Sequence, residues 1–182
     1  FNQSNLFRCS EKLDTILLQK AFDCLSRQHD LMRAVVKDGH LSVNGIEKTV
    51  RIEEYDLTGK TDAVNEISRV CADMKSGIDM AKALMRAAVF RTGEADYLFV
   101  TAHHFIIDGI SWRVLGSDLE SAYRQLKSGA DEIKLPAKTH TYNDYVKAVC
   151  EYSRSYRLSR EIPYWESVIS RLPENNTVQR AK

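Results

Sequence analysis

The sequence predicts an α/β chain of the α+β kind, a two-layer sandwich in which a mixed sheet is covered by helices. Two apolar runs, 84–90 and 97–101, are nearly continuous and read as adjacent strands buried on both faces. Several longer stretches carry apolar residues at helical spacing instead. Strands and helices also follow one another without strict alternation, which favours a mixed sheet over a purely parallel one.

Residues 3–9 alternate loosely and predict a short strand. Asp14 is a good N-cap for a helix reaching about His29, with Ile16, Leu17, Phe22 and Leu25 near helical spacing. Residues 32–36 read as a strand, and Asp38-Gly39 as a turn into Leu41-Ser42-Val43. A further strand over 49–55 alternates Val50, Ile52 and Glu54. The helix predicted over 61–74 places Val64, Ile67, Val70 and Cys71 on one face. Gly93-Glu94-Ala95-Asp96 is the turn between the two apolar strands. After Gly109 comes a helix to about Lys127, ended by Ser128-Gly129. Leu135-Pro136 breaks the pattern, Thr141 caps a helix expected to reach Ser159, and a last helix runs to about Leu172. Residues 1–172 are thus expected to form one lobe, and 173–182, opening on Pro173-Glu174-Asn175-Asn176, a linker or frayed end.

Composition excludes several classes. The 182 residues suffice for a buried core, and 43% apolar with 28% charged residues is ordinary globular usage. A net charge of +1, without a basic stripe carrying interleaved aromatics, gives no case for nucleic acid. No apolar run approaches the roughly 18 residues of a membrane span. Cys9, Cys24, Cys71 and Cys150 lie far apart in no metal-ligand spacing, so reduced thiols in a cytoplasmic protein are expected. Cys24 and Cys150 fall in helical patterns, where a thiol serves as a small buried hydrophobe. The chain opens on Phe1-Asn2-Gln3-Ser4 without an initiator Met, as a piece of something longer would.

Function turns on His103-His104-Phe105-Ile106-Ile107-Asp108-Gly109. Two histidines end a predicted strand, and Asp108 and Gly109 stand at the mouth of a helix. A histidine there suits a general base, because its reference pKa of about 6.5 leaves much of it neutral at working pH. Asp108 and Gly109 hold the turn in shape. Adjacent side chains on an extended segment point to opposite faces, so His103 and His104 cannot share one metal ion, and no metal is expected. In a purely structural alternative one histidine is a satisfied core residue and Asp108 a simple cap. By the same alternation one histidine faces a cavity and the other turns back into the structure; the sequence leaves open which.

These seven residues resemble the HHxxxDG motif of the condensation-domain superfamily of nonribosomal peptide synthetases, shared with chloramphenicol acetyltransferase and related acyltransferases. Other landmarks follow in the family's order. Arg27-Gln28-His29-Asp30-Leu31-Met32-Arg33 resembles its RHxxLR segment, and Asp56-Leu57 and 85–90 resemble later ones. Tyr142-Asn143-Asp144-Tyr145 and Tyr164-Trp165 resemble helices that close the family's first half. Within the superfamily, residues 108–115, with Asp118-Leu119, Tyr123 and the opening Phe1-Asn2-Gln3-Ser4, are most similar to epimerization domains.

The resemblance implies one chloramphenicol-acetyltransferase-like lobe of a two-lobed domain, the C-terminal lobe being absent, with a tunnel between the lobes. It implies no cofactor bound directly. A peptidyl carrier protein is the implied partner, and its 4'-phosphopantetheine arm delivers an aminoacyl or peptidyl thioester. His104 is implied as the catalytic residue, with His103, Asp108, Gly109 and Arg33 in support. Arg33 would pair with Asp108, and Gly109 would let the arm approach the backbone. Trp112 and Arg113 are possible contacts for substrate or carrier, although a Trp in the first turn of an amphipathic helix also suits the core. The activity implied is conversion of an L- to a D-residue, one base on each side of the α-carbon, the second resembling a glutamate of the missing lobe; the fragment alone would be inactive. The alternatives are a condensation domain forming an amide through the same His104, and a non-catalytic docking platform. A free-standing trimeric acyltransferase is disfavoured, since that family carries its motif near the C-terminus.

Overall fold

The computed structural model describes residues 1–172, and these fall into two compact units, divided between Lys138 and Thr139. In the first unit, β1 (Asn2–Arg8), β4 (Ile52–Asp56), β5 (Met85–Arg91) and β6 (Asp96–His103) form a sheet of order β1-β6-β5-β4. The pairs β1–β6 and β5–β6 are antiparallel, and β4–β5 is parallel. The predicted mixed sheet is therefore present. Strands β2 (Ala34–Lys37) and β3 (His40–Val43) form a separate hairpin, closed by Asp38 and Gly39, both at positive φ (49° and 76°) as a two-residue turn of this kind requires.

Side-chain parity sorts the sheet's two faces. Met85, Ala87, Val89, Leu98, Val100 and Ala102 join one core cluster with Leu18, Phe22 and Leu25 of α1 (Thr15–Gln28) and with Leu115 and Ala122 of α3 (Gly109–Lys127). Ala88, Phe90 and Phe99 join a second with Ile67, Val70 and Met74 of α2 (Ala63–Ser76). Helices cover both faces, which explains the near-continuous apolar runs of β5 and β6; α2 adds a layer to the expected two.

Several expectations change in detail. Residues 30–33 form a 3-10 turn, so the strand predicted from 32 begins at Ala34. The strand predicted from 49 begins at Ile52. Val64, placed by periodicity on the core face of α2, is 75% exposed. The face that packs on the sheet is Ala63, Ile67, Val70 and Met74, and Val64, about 100° round from Ala63, falls at its edge. Asp96, read as part of a turn, opens β6 and is completely buried. It is held there by Lys12 (3.1 Å), Arg91 (2.9 Å) and the Leu13 amide (2.8 Å), partners that satisfy a buried carboxylate.

The second unit contains α4 (Tyr142–Ser153), a single turn α5 (Tyr156–Ser159) and α6 (Ile162–Ile169). Thr141 and Asp144 form a reciprocal capping box. The single helix expected to Ser159 is interrupted because Ser155, extended and capping the Leu158 amide, starts a new turn. The tail expected at 173–182 lies outside the described residues.

All four cysteines are free, and Cys150, expected in the core, is exposed. Burial raises the thiol pKa of Cys9, Cys24 and Cys71, that of Cys71 to about 11, which leaves them poor nucleophiles. No described helix is long and apolar enough to cross a membrane, and no cluster of three potential metal ligands occurs among the described residues.

Candidate active site

The motif begins where β6 runs out. The His103 amide donates to Leu84 O (2.8 Å) on the β5 side, and the His104 amide to Phe1 O (3.0 Å) on the β1 side. His104 thus carries the ladder one residue beyond the strand. A tight turn follows, with the Ile106 amide on His103 O at 3.0 Å. Ile106 and Ile107 are buried in the cluster under α1 and α3, and they anchor the loop while Phe105 stands 58% exposed between the histidines and that anchor. The motif's apolar middle is what holds its polar ends in place.

Strand alternation resolves which histidine goes where. In the β1–β6 register Asn2 opposes His103 and Gln3 opposes Ala102. Asn2 Nδ2 donates to Lys75 O of α2 (2.6 Å), whereas Gln3 Oε1 accepts from Trp112 Nε1 of α3 (2.9 Å). Opposed residues share a face, so His103 belongs to the α2 side and His104, two residues beyond Ala102, to the side of Gln3 and Trp112. The His104 ring is partly exposed and stands edge-on to Phe1, with centroids 4.6 Å apart.

His103 is differently occupied. Its Nδ1 accepts from the Phe105 amide (3.2 Å), and its ring packs on Phe105 at 4.3 Å. Burial, helped by nearby positive charge, lowers its pKa below the ordinary histidine value.

Asp108 caps α3. Its Oδ1 accepts from the Ser111 hydroxyl (2.6 Å), the Ser111 amide (2.7 Å) and the Ile110 amide (3.1 Å). These bonds, led by the two from Ser111, hold the exposed carboxyl below the usual carboxylate range. The expected pairing with Arg33 is not formed. Arg33, itself buried, donates to Ser26 O, to Asn44 O (3.1 Å) and to Asp30 (3.2 Å), and Asp30 also meets Lys138 at 2.6 Å. The physical reason is local supply: the carbonyls and carboxylate around the 3-10 turn satisfy the guanidinium, and the α3 amides satisfy Asp108.

Gly109 is the first residue of α3, and a Cβ built on it meets nothing within 4 Å. The chain itself does not need a glycine there; the space in front of it is open. Trp112 packs partly on the core and spends its indole N–H on Gln3. Arg113 is exposed and forms no ion pair among the described residues. The sequence motifs give Gln3 no role of its own, although the opening tetrapeptide that contains it is distinctive. The bond from His29 to Asp118, separated by 89 residues, is likewise invisible in them. No local spacing signals either contact.

The site thus combines a half-buried histidine at a strand end with a capped helix and an open glycine. Comparison with known proteins is more specific: the condensation-domain family matches residues 1–181, and the chain belongs to that family. It is 35% identical to a plipastatin synthase of Bacillus subtilis (strain 168) over 97% of its own length and 7% of that protein's. It superposes on the crystal structure of the epimerization domain from the third module of tyrocidine synthetase B with a TM-score of 0.90, at 31% identity, over 96% of this chain and 41% of that one. The first condensation domain of the calcium-dependent antibiotic synthetase has the same fold (TM-score 0.77, 20% identity, 95% of this chain and 43% of that one). The chain therefore spans less than half of these relatives. The resemblance to nonribosomal peptide synthetase condensation domains, and the one-lobe fold it implied, are borne out.

Proposed function

We propose that residues 1–172 form the N-terminal lobe of an epimerization domain that converts an L- to a D-residue on a carrier-tethered aminoacyl or peptidyl thioester. The likeness to the tyrocidine epimerization domain carries this reading, because it is greater in both identity and TM-score than the likeness to the condensation domain described above. His104, on the open α3 side, takes the α-proton. The C–H electron pair becomes a double bond to the carbonyl carbon, and the carbonyl π pair moves onto oxygen. A carboxylic acid of the C-terminal lobe returns a proton to the opposite face and is recharged by the one His104 releases, so the step is balanced. His103 and Asp108 hold the loop, Arg33 supports the preceding turn, and Gly109 leaves room for the carrier protein's phosphopantetheine arm. Arg113 is free to contact substrate or carrier. On this reading the domain works in the cytoplasm.

The complete domain, supplied with a carrier protein bearing an L-aminoacyl thioester, is expected to yield the D-residue. His104→Ala should lower that turnover by roughly 10²–10⁴-fold. A dipeptide from two loaded carriers would identify a condensation domain instead. Turnover unchanged in His104→Ala would remove the assignment of the base, and no turnover of either kind would favour a docking platform.

A further inference from the structure

We propose that Gln3 is a catalytic residue of this site: its side-chain amide N–H donates to the thioester oxygen as that oxygen gathers negative charge. The inference rests on the epimerase reading and adds to it the donor that an enolate-like intermediate needs.

The first observation is the orientation of the amide. An indole N–H can only donate, so the Gln3 atom facing Trp112 Nε1 at 2.9 Å must be the carbonyl oxygen. That contact fixes the flip, and Nε2 with its two N–H groups is turned the other way. Nε2 has no hydrogen-bond partner among the described residues, and it is not sealed from water. It is an oriented donor that the described residues leave unused.

The second is placement. Gln3 opposes Ala102, so its diagonal neighbour on the same face is His104. Such diagonal partners stand roughly 7–8 Å apart. Side chains that start this far apart on one face can reach the two ends of one small group, with a base about 3–3.5 Å from an α-carbon and a donor about 2.9 Å from the adjacent carbonyl oxygen. A thioester laid between them presents its α-hydrogen to His104 and its oxygen to Gln3.

The third is how far the neighbouring donors are already occupied. The amides of Ile110 and Ser111 are taken by the Asp108 side chain, and that of Trp112 by the Asp108 carbonyl. Of the first four amides of α3, that of Gly109 alone has no acceptor among the described residues. His103 lies on the other face. Gln3 is the side-chain donor on the His104 face, held by Trp112 and by its backbone oxygen, which accepts from Thr101 Oγ1 at 3.2 Å.

Gln3→Glu in the complete domain is the decisive variant. It keeps an oxygen for Trp112 and replaces the donating N–H groups by a carboxylate oxygen. Expected is a kcat lower by about 10²–10³-fold, with KM and melting temperature near wild type. A carboxylate would also favour protonated His104, so turnover is followed into alkaline solution, where the imidazole is neutral. A loss that persists there supports the oxyanion role; a loss that vanishes, or kcat equal to wild type, overturns it. Trp112→Phe, which frees the Gln3 amide to rotate, should give a smaller fall in kcat, and unchanged kcat in that variant overturns the inference as well. D-product that depends on His104 but not on Gln3 sinks this inference alone. Dipeptide formation by the wild-type domain sinks the epimerase reading and this inference with it, an outcome distinct from D-product that does not depend on Gln3.

Discussion

His29, the residue that ends α1, bonds through Nε2 to Asp118 of α3 at 2.8 Å. Asp118 is 7% exposed, so this bond fastens the two helices over the core whose edge carries the loop of the two histidines. At the other end of α1 the Asp14 amide donates to Tyr123 Oη (2.8 Å), also on α3. Two polar ties, rather than apolar packing alone, fix how α3 lies against α1.

Removing His29 leaves a buried carboxylate without its partner. His29→Ala should cost about 2–4 kcal/mol in denaturant unfolding. Asp118→Asn, which retains a hydrogen-bonding oxygen, should cost less. A His29→Ala midpoint within the range of surface substitutions, about 0.5 kcal/mol, would show that the pair adds nothing.

Arg33 is tied to its own turn and not to the active-site loop. Arg33→Ala should destabilise the fold by about 2–3 kcal/mol, through the buried Ser26 carbonyl and the partly buried Asn44 carbonyl, while Asp30 keeps Lys138. A double-mutant cycle is the sharper measurement. Arg33 and Asp30 should couple, whereas Arg33 and Asp108 should be additive. Coupling between Arg33 and Asp108 would restore the pairing expected from the resemblance.

Acid should loosen the start of α3. The Ser111 hydroxyl and amide, with the Ile110 amide, hold the Asp108 carboxyl below its ordinary value. A folded pKa below the unfolded one contributes stability that is fully present above the unfolded value, about 3.9, and is lost as pH falls through the lower folded value. Titration followed by NMR should show Asp108 low in wild type and moved towards the ordinary value in Ser111→Ala. An Asp108 that titrates identically in the two proteins would remove the hydroxyl as the leading cause.

The strands and most helices were legible because their signals are local. Asp14 and Asp108 stand at their helix starts as caps, and the runs now seen as β5 and β6 were apolar throughout because helices lie on both sides. What misled was equally local. Val64 fits a helical stripe yet faces solvent, since the face that packs is centred on Ala63, Ile67, Val70 and Met74 and periodicity does not say where a stripe's edge falls. Asp96 stood in a sequence that reads as a turn, and nothing nearby announced that Lys12 and Arg91 would bury it.

The sequence alone determined the family, through seven residues and the ordered landmarks around them, and it determined that two adjacent histidines must part to opposite faces. That follows from the period of an extended chain. Which face each takes, that Arg33 answers to Asp30 and not Asp108, and that Gln3 meets Trp112 were decided only by folding. Those contacts join residues far apart in the chain or choose among equally suitable local partners, and no spacing rule encodes the choice.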